Sequence, residues 1–308
     1  MPDITIAIPT FRRPNSLERL LAAIAKLETE ADVRVLVAEN DAERQEGRAI
    51  VTRLMSTGYR WPIELLLVEP RGIAQARNAL VKRALANGFD FLAMLDDDEW
   101  PEALWLSALL RVAAESRADA LQGAVLPEFE RMPGRWAARC YGFAPLRRQT
   151  GPVAMIHSTA NVLLRRSAFA MLSSPWFDQE FALSGGEDKD FFTRLRMAGA
   201  RFAWADDAVV HAHVPISRGN ALWAVRRAYR VGNSDMRVFL KHSRALGAKL
   251  GESAKIVGAI FVSLPLALLA APIAEWRIMP VCKFARAVGK LSAAFGLRYD
   301  EYAVTHGG

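Results

Sequence analysis

The chain has 308 residues, of which 52% are hydrophobic and 24% are charged. A chain of this length and composition can bury a core large enough for one big domain, with or without an appendage, which excludes disorder as its main state. Its formal net charge of +7 favours anionic partners such as phosphates, anionic lipid or nucleic acid.

The first third of the chain alternates strand-like and helix-like segments. Two β-branched runs, "ITIAIPT" and "VRVLVAEN", predict strands, and "SLERLLAAIAKLE" between them has leucines at helical spacing. A third strand, "IELLLVEP", precedes the helical segment "IAQARNALVKRALANG", and "FDFLAML" predicts a fourth strand. This alternation predicts an α/β fold with a doubly wound, mostly parallel sheet and helices on both faces.

Polar residues follow three of these strands, at residues 10–12, 39–41 and 96–99. Ligands of such sheets bind beyond the carboxyl ends of the strands, so the three clusters are expected to share one site. The early turns contain neither a dinucleotide-binding glycine motif nor a P-loop. The aspartates of "LDDDEW" offer hard oxygen ligands for Mg²⁺ or Mn²⁺, to be completed by substrate phosphates. A solvated loop or a helix N-terminus is the alternative interpretation of such a run.

A second acidic centre stands in "SGGEDKDFFTRL", behind a flexible pair of glycines at the start of an amphipathic helix. Glu187 and Asp188 are candidates for general acid or base catalysis. Alternatively, they only complement the dipole of the helix.

Five segments in this order resemble family 2 glycosyltransferases of the GT-A fold: "AIPTFRR", "VAEND", "GIAQARN", "LDDD" and "GGEDKDFFTRL". The resemblance covers roughly residues 3–235 and implies a catalytic domain over 1–235. The rest, 236–308, is predicted to be a basic and apolar helical region that associates with a membrane.

The resemblance also implies roles for the matching positions. Glu39 stands where an aspartate is commoner, which leaves the identity of the base open, and Asp96 is expected to face the sugar or the ribose. Asn78 shares the "ARN" element with Arg77. The residues implied in binding the donor nucleotide are Pro9, Thr10, Phe11, Arg12, Glu39, Asn40, Arg77, Asp96 and Asp97.

A divalent metal, Mn²⁺ or Mg²⁺, is implied at Asp98, with Asp97 as a second ligand. His213 stands where several members have an acid, and we keep it as a third candidate ligand. Asp188 matches the catalytic base, with Glu187 beside it. In an inverting transfer this base takes the proton of the acceptor hydroxyl while the metal stabilises the departing nucleoside diphosphate.

Two further segments suggest contacts with the acceptor and the diphosphate. "MIHSTANVLLRRSAF" resembles the strand and turn of the family that face the acceptor. A structural role is the alternative for its histidine, His157. "HAHVPISRGNALWAVRRAYRVGNS" is similar to members that build bacterial exopolysaccharides on lipid carriers, including succinoglycan-type enzymes. The acceptor candidates are His157, Thr159, Asn161 and Trp223, and the diphosphate candidates are Arg218 and Arg230. Arg226 and Arg227 lie in the same segment. For these two residues, a basic amphipathic helix in contact with anionic lipid is an equal alternative to a role at the diphosphate.

Residues 256–276 are almost entirely apolar and just reach the length that crosses a bilayer. Three interpretations compete: a spanning helix, a re-entrant or in-plane segment kinked at Pro265 and Pro272, and a buried core or oligomer helix. In-plane or re-entrant attachment is favoured because basic residues flank both sides. The flanking residues are Lys241, Arg244, Lys249, Lys255, Arg277, Lys283, Arg286 and Lys290.

The N-terminus and the cysteines bear on the compartment. The segment "MPDITIAIPTF" has no basic region followed by a long apolar core, so no secretory signal is expected. Cys140 and Cys282 fit no metal or redox spacing, agree with a reducing compartment, and are expected to have no role. No nucleic-acid-binding motif is present, so the positive charge is assigned to phosphates and lipid.

The sequence therefore predicts an inverting, metal-dependent enzyme on the cytoplasmic face of the bacterial inner membrane. It would transfer a hexose, with glucose favoured, from a UDP-sugar to a polyprenyl-diphosphate-linked oligosaccharide. The alternatives are an enzyme with a soluble or protein acceptor and an inactive membrane adaptor that binds sugar nucleotides. Association of copies into a homo-oligomer is left open.

Overall fold

A computed structural model describes residues 1–140, 142–243 and 245–299. The strands are β1 (Asp3–Thr10), β2 (Asp32–Glu39), β3 (Ile63–Leu67), β4 (Phe91–Met94), β5 (Glu99–Pro101), β6 (Ala120–Phe129), β7 (Gly151–Val153), β8 (Val162–Arg165) and β9 (Phe202–Val214). The α-helices are α1 (Pro14–Ile24), α2 (Glu46–Thr57), α3 (Ile73–Asn87), α4 (Trp105–Ser116), α5 (Arg166–Ala170), α6 (Glu187–Met197), α7 (Ala221–His242), α8 (Leu246–Ala270) and α9 (Ile278–Ala294). Short 3₁₀ helices cover Arg135–Arg139 and Gln179–Phe181.

The first four strands form the parallel half of one sheet, in the order β3-β2-β1-β4. Successive side chains of a strand point to opposite faces. Ile6 therefore packs into the core cluster under α1 and α4, and Ala7 packs into the cluster under α3 and α6. Helices thus cover both faces of the sheet, which confirms the predicted fold class. Helix α2 was not among the predicted elements.

The other half of the sheet is mixed. Strand β8 is antiparallel to both β4 and β6, β6 is parallel to β9, and β5 and β7 are antiparallel to β9. The predicted predominance of parallel strands therefore applies to the half built from β1 to β4. Within the parallel half, the carboxyl ends of β1, β2 and β4 lie at one edge, where the predicted polar clusters are.

Helices α7 and α9 pack side by side with their backbones unusually close. A Cβ added at Gly232 of α7 would lie 2.0 Å from the carbonyl oxygen of Arg286, and one at Gly289 of α9 would lie 2.0 Å from that of Tyr229. Only glycine permits this approach. The predicted boundary between residues 235 and 236 falls inside α7, so no helix end marks it.

Helix α8 packs along α9, and Lys290 of α9 bonds Glu252 of α8 at 2.5 Å. It is the one helix of the described residues that is long and apolar enough to cross a membrane, and only 11% of its most apolar stretch is buried. This exposure excludes a helix buried in the core of the chain. Pro265 lies inside α8, and Pro272 lies in the turn that leads to α9. Arg244, one of the predicted basic flanks, lies outside the described residues.

The two cysteines, predicted to be unrelated, lie together. The Sγ atoms of Cys140, after the first 3₁₀ helix, and Cys282, on α9, are 3.7 Å apart. The sequence gives no hint of this pair because 141 residues separate its members and only the docking of α9 joins them. Neither residue forms a disulfide here.

Candidate active site

The three predicted polar clusters meet at the ends of β1, β2 and β4, which we call the cleft edge (residues 10–13, 39–41 and 96–99). The Thr10 hydroxyl donates to Asp97 Oδ2 at 3.0 Å, and the Thr10 carbonyl accepts from the Asn40 backbone N–H at 3.0 Å. Neighbouring parallel strands bring their carboxyl ends to one edge, so residues far apart in the chain come into contact.

Asp97 is buried, and both of its oxygens are used inside the protein. Its Oδ2 accepts from Thr10 and from the Phe11 backbone N–H, and its Oδ1 accepts from Arg13 at 2.8 Å. Burial raises the pKa of Asp97 to about 6, although the charge of Arg13 opposes this. These contacts are those of a carboxylate that holds the loop after β1, and they do not suit the predicted second metal ligand.

Asp98 is the more open member of the pair, with 20% of its side chain exposed. Its Oδ2 accepts from Arg13 at 2.8 Å and from Arg218 at 3.2 Å. The predicted diphosphate residue Arg218 therefore lies beside the predicted metal ligand. Arg13 was not among the predicted site residues, although it closes the "FRR" run that carries the resemblance.

His213 is joined to Asp98 through the backbone, since its N–H donates to the Asp98 carbonyl at 2.9 Å. Partial burial lowers the pKa of its ring, and the charge of Arg19 lowers it further. Within the ranges that the structure describes, no three or more His, Cys, Asp and Glu side chains form a set of metal ligands. Asp97, Asp98 and His213 therefore do not make a closed cage.

The remaining acids of "DDDE" point in different directions. Glu99 is 3% exposed and accepts from the Asp96 backbone N–H at 2.8 Å. Burial raises the pKa of Glu99 well above its ordinary value, and the neighbouring charge of Asp96 adds to this. Glu99 thus supports the turn, while Asp96, with 36% of its side chain exposed, faces outward.

Two residues predicted to read the nucleotide instead hold loops in this structure. Glu39 is 1% exposed, and its oxygens accept from the backbone N–H groups of Asp41 at 3.0 Å and Gly47 at 2.7 Å. The amide of Asn40 bonds the backbone of Val68, Pro70 and Gly72. Pro9 is buried within β1. These polar groups already have partners within the chain, and their contact with a nucleobase stays a prediction.

Phe11 offers an aromatic contact surface at the cleft edge. Its ring is half-buried, with the guanidinium of Arg12 at 5.0 Å and that of Arg71 at 4.3 Å from the ring centre. Arg12 is itself held by Asp41 at 2.6 Å. Cations over an aromatic ring are stabilised by the ring quadrupole. Arg71 is a further residue that the sequence did not single out.

Arg77 joins the two predicted acidic centres. It is 5% exposed, donates to Asp96 Oδ1 at 2.8 Å, and pairs with Glu187 at the start of α6. Glu187 lies 110 residues further along the chain. The guanidinium of Arg77, predicted to bind the donor nucleotide, is therefore engaged by carboxylates within the chain. The neighbouring Asn78 is also structural, because it exchanges two hydrogen bonds with the backbone of Phe177.

The acids of α6 occupy distinct environments. Burial raises the pKa of Glu187 to about 7, and its Oε2 has no hydrogen-bond partner among the described residues. Asp188 is half-buried and accepts from the Lys189 backbone N–H at 2.7 Å. Burial also raises the pKa of Asp188, while Arg77 and Arg230 lower it. The predicted base thus lies within the electrostatic reach of both Asp96 and Arg230.

The four acceptor candidates separate into accessible and inaccessible residues. His157 is exposed. Asn161 is fully buried, accepts from the Trp105 indole N–H at 2.6 Å, and donates to two backbone carbonyls. Thr159 is 1% exposed. The prediction of acceptor contacts by Thr159 and Asn161 is corrected, because neither can touch an acceptor unless the core opens.

Trp223 is half-buried at the start of α7. Its ring packs edge-to-face on Phe143 with ring centres 5.4 Å apart, and Arg227 lies 5.1 Å from the centre of the Trp223 ring. The residue belongs to a small apolar cluster that also contains Trp136 and Ile278. Its contacts are mainly structural, and a role in acceptor binding stays a prediction.

The sheet and its acidic edge define a protein of the GT-A fold, and solved structures agree. A mannosyltransferase, PcManGT of Pyrobaculum calidifontis, superposes with a TM-score of 0.60 at 20% identity, covering 94% of this chain and 87% of that one. TarS 1–349 of S. aureus gives 0.52 at 16% identity, covering 96% and 92%. At these identities the likeness concerns the fold alone.

Sequence comparison identifies the family. The model for glycosyl transferase family 2 matches residues 5–172, and that for glycosyl transferase family group 2 matches residues 91–297. The succinoglycan biosynthesis protein ExoM of Rhizobium meliloti (strain 1021) is 34% identical over 246 residues, which are 79% of this chain and 77% of that protein. The chain therefore belongs to glycosyl transferase family 2, and it is a glycosyltransferase related to a protein of succinoglycan biosynthesis.

A second curated relative is more distant. The pre-mycofactocin glycosyltransferase of Mycobacterium tuberculosis is 28% identical over 242 residues, which are 75% of this chain but 47% of that protein. The predicted family and enzyme class are confirmed by these matches. The predicted roles of individual residues are not tested by them.

Proposed function

We propose that this enzyme transfers a hexose from a UDP-sugar to a lipid-linked oligosaccharide, with inversion and with a divalent metal ion. The observation that carries the proposal is the Arg77 bridge, which ties Asp96 of the cleft edge to Glu187 beside Asp188. Under this proposal, Asp96 is the donor-side acid and Asp188 the acceptor-side base, on the two sides of Arg77. ExoM, by its name, acts in succinoglycan biosynthesis, and bacterial polysaccharides of this kind are the substrate class proposed here.

The carboxylates of the cleft edge fit a hard cation such as Mg²⁺ or Mn²⁺ in part. Asp96 and Asp98 have partly exposed side chains. Asp97 and Glu99 are buried and accept hydrogen bonds from within the protein. A Mg²⁺ or Mn²⁺ ion held by one or two carboxylates takes its other ligands from water and the substrate diphosphate. When bound, the ion would neutralise charge on the leaving group. PcManGT was solved with GDP-Man and Mn²⁺, and TarS 1–349 was solved with UDP.

Asp188 is the side chain proposed to remove the proton from the acceptor hydroxyl. Its raised pKa makes the carboxylate a stronger base than an exposed aspartate, while Arg77 and Arg230 keep the ionised form accessible. Glu187, paired with Arg77 and almost fully buried, is proposed to orient Arg77. Arg218 and Arg230 are proposed to contact the diphosphate, and His157 to contact the acceptor.

Helix α8 is proposed to lie in the plane of the inner membrane, at its cytoplasmic face. Its large apolar side chains are exposed, and the neighbouring α9 contributes basic residues that favour anionic headgroups. The exposed apolar residues of α8 are Leu246, Leu250, Val257, Phe261, Val262, Leu264, Leu266, Leu268 and Leu269. Because α9 is docked on α7, an α8 that packs on α9 would lie along the surface of the catalytic domain.

The decisive experiment incubates the purified full-length protein with UDP-glucose, UDP-galactose, UDP-GlcNAc and GDP-mannose. Lipid extract is included or omitted, and EDTA, Mn²⁺ or Mg²⁺ is added. Release of UDP that needs a divalent ion and is abolished in Asp98→Asn is expected. The control Asp207→Asn removes an exposed carboxylate that pairs with Arg111 of α4 and is not part of the cleft edge, and it should stay active.

Three outcomes would contradict parts of the proposal. Undiminished turnover in EDTA would contradict the role of a divalent metal. Transfer from GDP-mannose alone would contradict the UDP-sugar as donor. Binding of UDP without turnover of any donor would favour the inactive adaptor.

The membrane assignment is tested with vesicles. The variant Phe261→Ser/Leu268→Ser should lose binding to vesicles of phosphatidylethanolamine and phosphatidylglycerol, because two exposed apolar contacts are removed. Met55→Ser, which changes an exposed apolar residue on α2, is the control. Unchanged binding of the double variant, or equal binding to neutral phosphatidylcholine vesicles, would contradict the assignment. Truncation before α9 is not a clean test, because it would uncover the face of α7.

A further inference from the structure

Helix α7 touches the segment before the proposed base. The Ser234 hydroxyl donates to the Gly185 carbonyl at 3.1 Å. Gly186 has a φ of 105°, and a Cβ added there would lie 3.0 Å from Ser234 Cβ. The glycine pair ahead of Glu187 therefore does more than supply flexibility, because it lets the turn rest directly on α7.

Helix α7 also touches the residue after the proposed base. Lys189, next to Asp188, pairs through its ammonium group with Asp235 of α7. The other oxygen of Asp235 accepts from Arg286 of α9, at 3.1 Å from Nε and 2.5 Å from Nη2. The side chain of Asp235 is 9% exposed, so one buried carboxylate joins α6, α7 and α9.

The position of Arg286 is fixed by the backbone. Its carbonyl lies directly against Gly232, one turn of α7 before Asp235. The backbone at the α9 end of the contact is therefore held directly against α7. Burial alone would raise the pKa of Asp235, but the charges of Lys189 and Arg286 hold it below its ordinary value, so the carboxylate is ionised at neutral pH.

We propose that Asp235 is a positioning residue for the reaction: through Lys189 it holds the first turn of α6, and hence Asp188, at a fixed place relative to α7 and α9. This inference rests on the proposed role of Asp188. It makes the C-terminal helices part of the active-site framework. A displacement of a reacting group by about 1 Å can cost on the order of 10²-fold in rate, so this support bears on turnover more than on donor binding.

The test compares Asp235→Asn, Asp235→Glu and Arg286→Gln with the wild type. Arg286→Gln changes a side chain that is 43% exposed and should fold even if Asp235→Asn does not. Glu252→Gln is the matched control, because it removes an ion pair between α8 and α9 that does not reach α6. Two quantities are measured: hydrogen exchange of residues 183–192 in the free protein, and kcat and KM for hydrolysis of UDP-glucose.

Asp235→Asn should speed exchange in residues 183–192 and lower kcat on the order of 10-fold, with KM changed by less than about twofold. Arg286→Gln should act in the same direction and more weakly. Asp235→Glu, which keeps the charge, should restore part of kcat. Glu252→Gln should behave as the wild type.

Unchanged exchange in residues 183–192 in both Asp235→Asn and Arg286→Gln would overturn the inference. An equal loss of kcat in Glu252→Gln would do the same, because it would show a general loss of stability. If the wild type does not hydrolyse UDP-glucose, the same kinetic comparison is made with a UDP-sugar that it does turn over, and the exchange data alone still decide whether Asp235 positions α6.

Discussion

The cleft edge and helix α8 depart from the usual distribution of residues in opposite ways. At the cleft edge and the adjoining start of α6, carboxylates are buried: Asp97 is 5% exposed and Glu187 is 2% exposed. On α8, large apolar side chains are exposed: Phe261 is 74% exposed and Leu268 is 76% exposed. Both arrangements cost free energy unless something offsets them.

The two departures differ in what offsets them. The buried carboxylates have arginine partners within the chain, namely Arg13 and Arg77, so their cost is offset when the protein folds. No part of the described chain covers the outer face of α8. The first region is therefore a site built in advance, and the second is an apolar surface that the described chain leaves open.

The largest expected effect comes from removing the partner of the buried acids. Arg77→Met keeps the length of the side chain but leaves Glu187 without its ion-pair partner, and should lower the free energy of unfolding by about 3–5 kcal/mol. Denaturant titration measures this loss. Arg83→Met, which breaks an exposed pair on the same helix, should change stability little. An equal effect of the two variants would show that the ion pair of Arg77 with Glu187 contributes no more to the free energy of unfolding than an exposed pair does.

The next effect separates catalysis from binding at the start of α6. Asp188→Asn should lower turnover by roughly 10²-fold or more while donor KM stays nearly unchanged, because only proton removal is lost. In the wild type, activity should fall with decreasing pH as Asp188, whose pKa is raised, takes up a proton. Steady-state kinetics over a pH series test both statements. Near-normal turnover of the variant would transfer the role to Glu187.

A smaller effect follows from the protonation of Glu187. Its pKa in the folded protein, about 7, lies above the ordinary value of 4.5, so the folded state holds the proton more tightly. Its contribution to stability is complete below pH 4.5 and is lost as the pH rises through 7.

The stability of the wild type relative to Glu187→Gln should therefore fall by about 2 kcal/mol between about pH 5 and pH 7. Chemical unfolding of both proteins at several pH values measures the difference. A difference that does not change with pH would show that Glu187 is already ionised throughout, as a permanent partner of Arg77.

The sequence predicted the elements whose pattern is local. Strands β1 to β4 follow from β-branched runs and α1 and α3 from helical spacing, and parallel order then brings residues 10–12, 39–41 and 96–99 to one edge. The directions of the four acids from Asp96 to Glu99 could not be predicted, because they depend on partners such as Arg13 and Arg77. The period of a strand fixes the face of a side chain but not its hydrogen bonds.

Other parts of the site depended on contacts between distant segments. Asn161 resembled an acceptor residue by position in a motif, yet its amide bonds Trp105 and two carbonyls in the core. Cys140 and Cys282 meet only because α9 docks on the body of the protein. Such contacts have no signature in the local pattern of one sequence.

The smallest expected effect concerns α9, on which α8 packs. Binding to a membrane should leave the linkage of Cys140 to Cys282 unchanged. In solution, diamide should link Cys140 and Cys282, whose sulfur atoms are 3.7 Å apart. The two thiols each lose a hydrogen to the N=N bond of the diazene, which becomes a hydrazine, and one S–S bond forms. Peptide mapping of the full-length protein measures the linked fraction, and Cys282→Ser is the control without a product.

With vesicles that contain phosphatidylglycerol, the linked fraction should equal that in solution. An α8 that lies in the membrane plane can keep α9 docked on α7, so the sulfur atoms stay together. An α8 that spans the bilayer would have to leave the surface of the domain and would pull on α9, which carries Cys282. A clear drop in linkage on vesicles would therefore contradict in-plane attachment and favour a spanning helix.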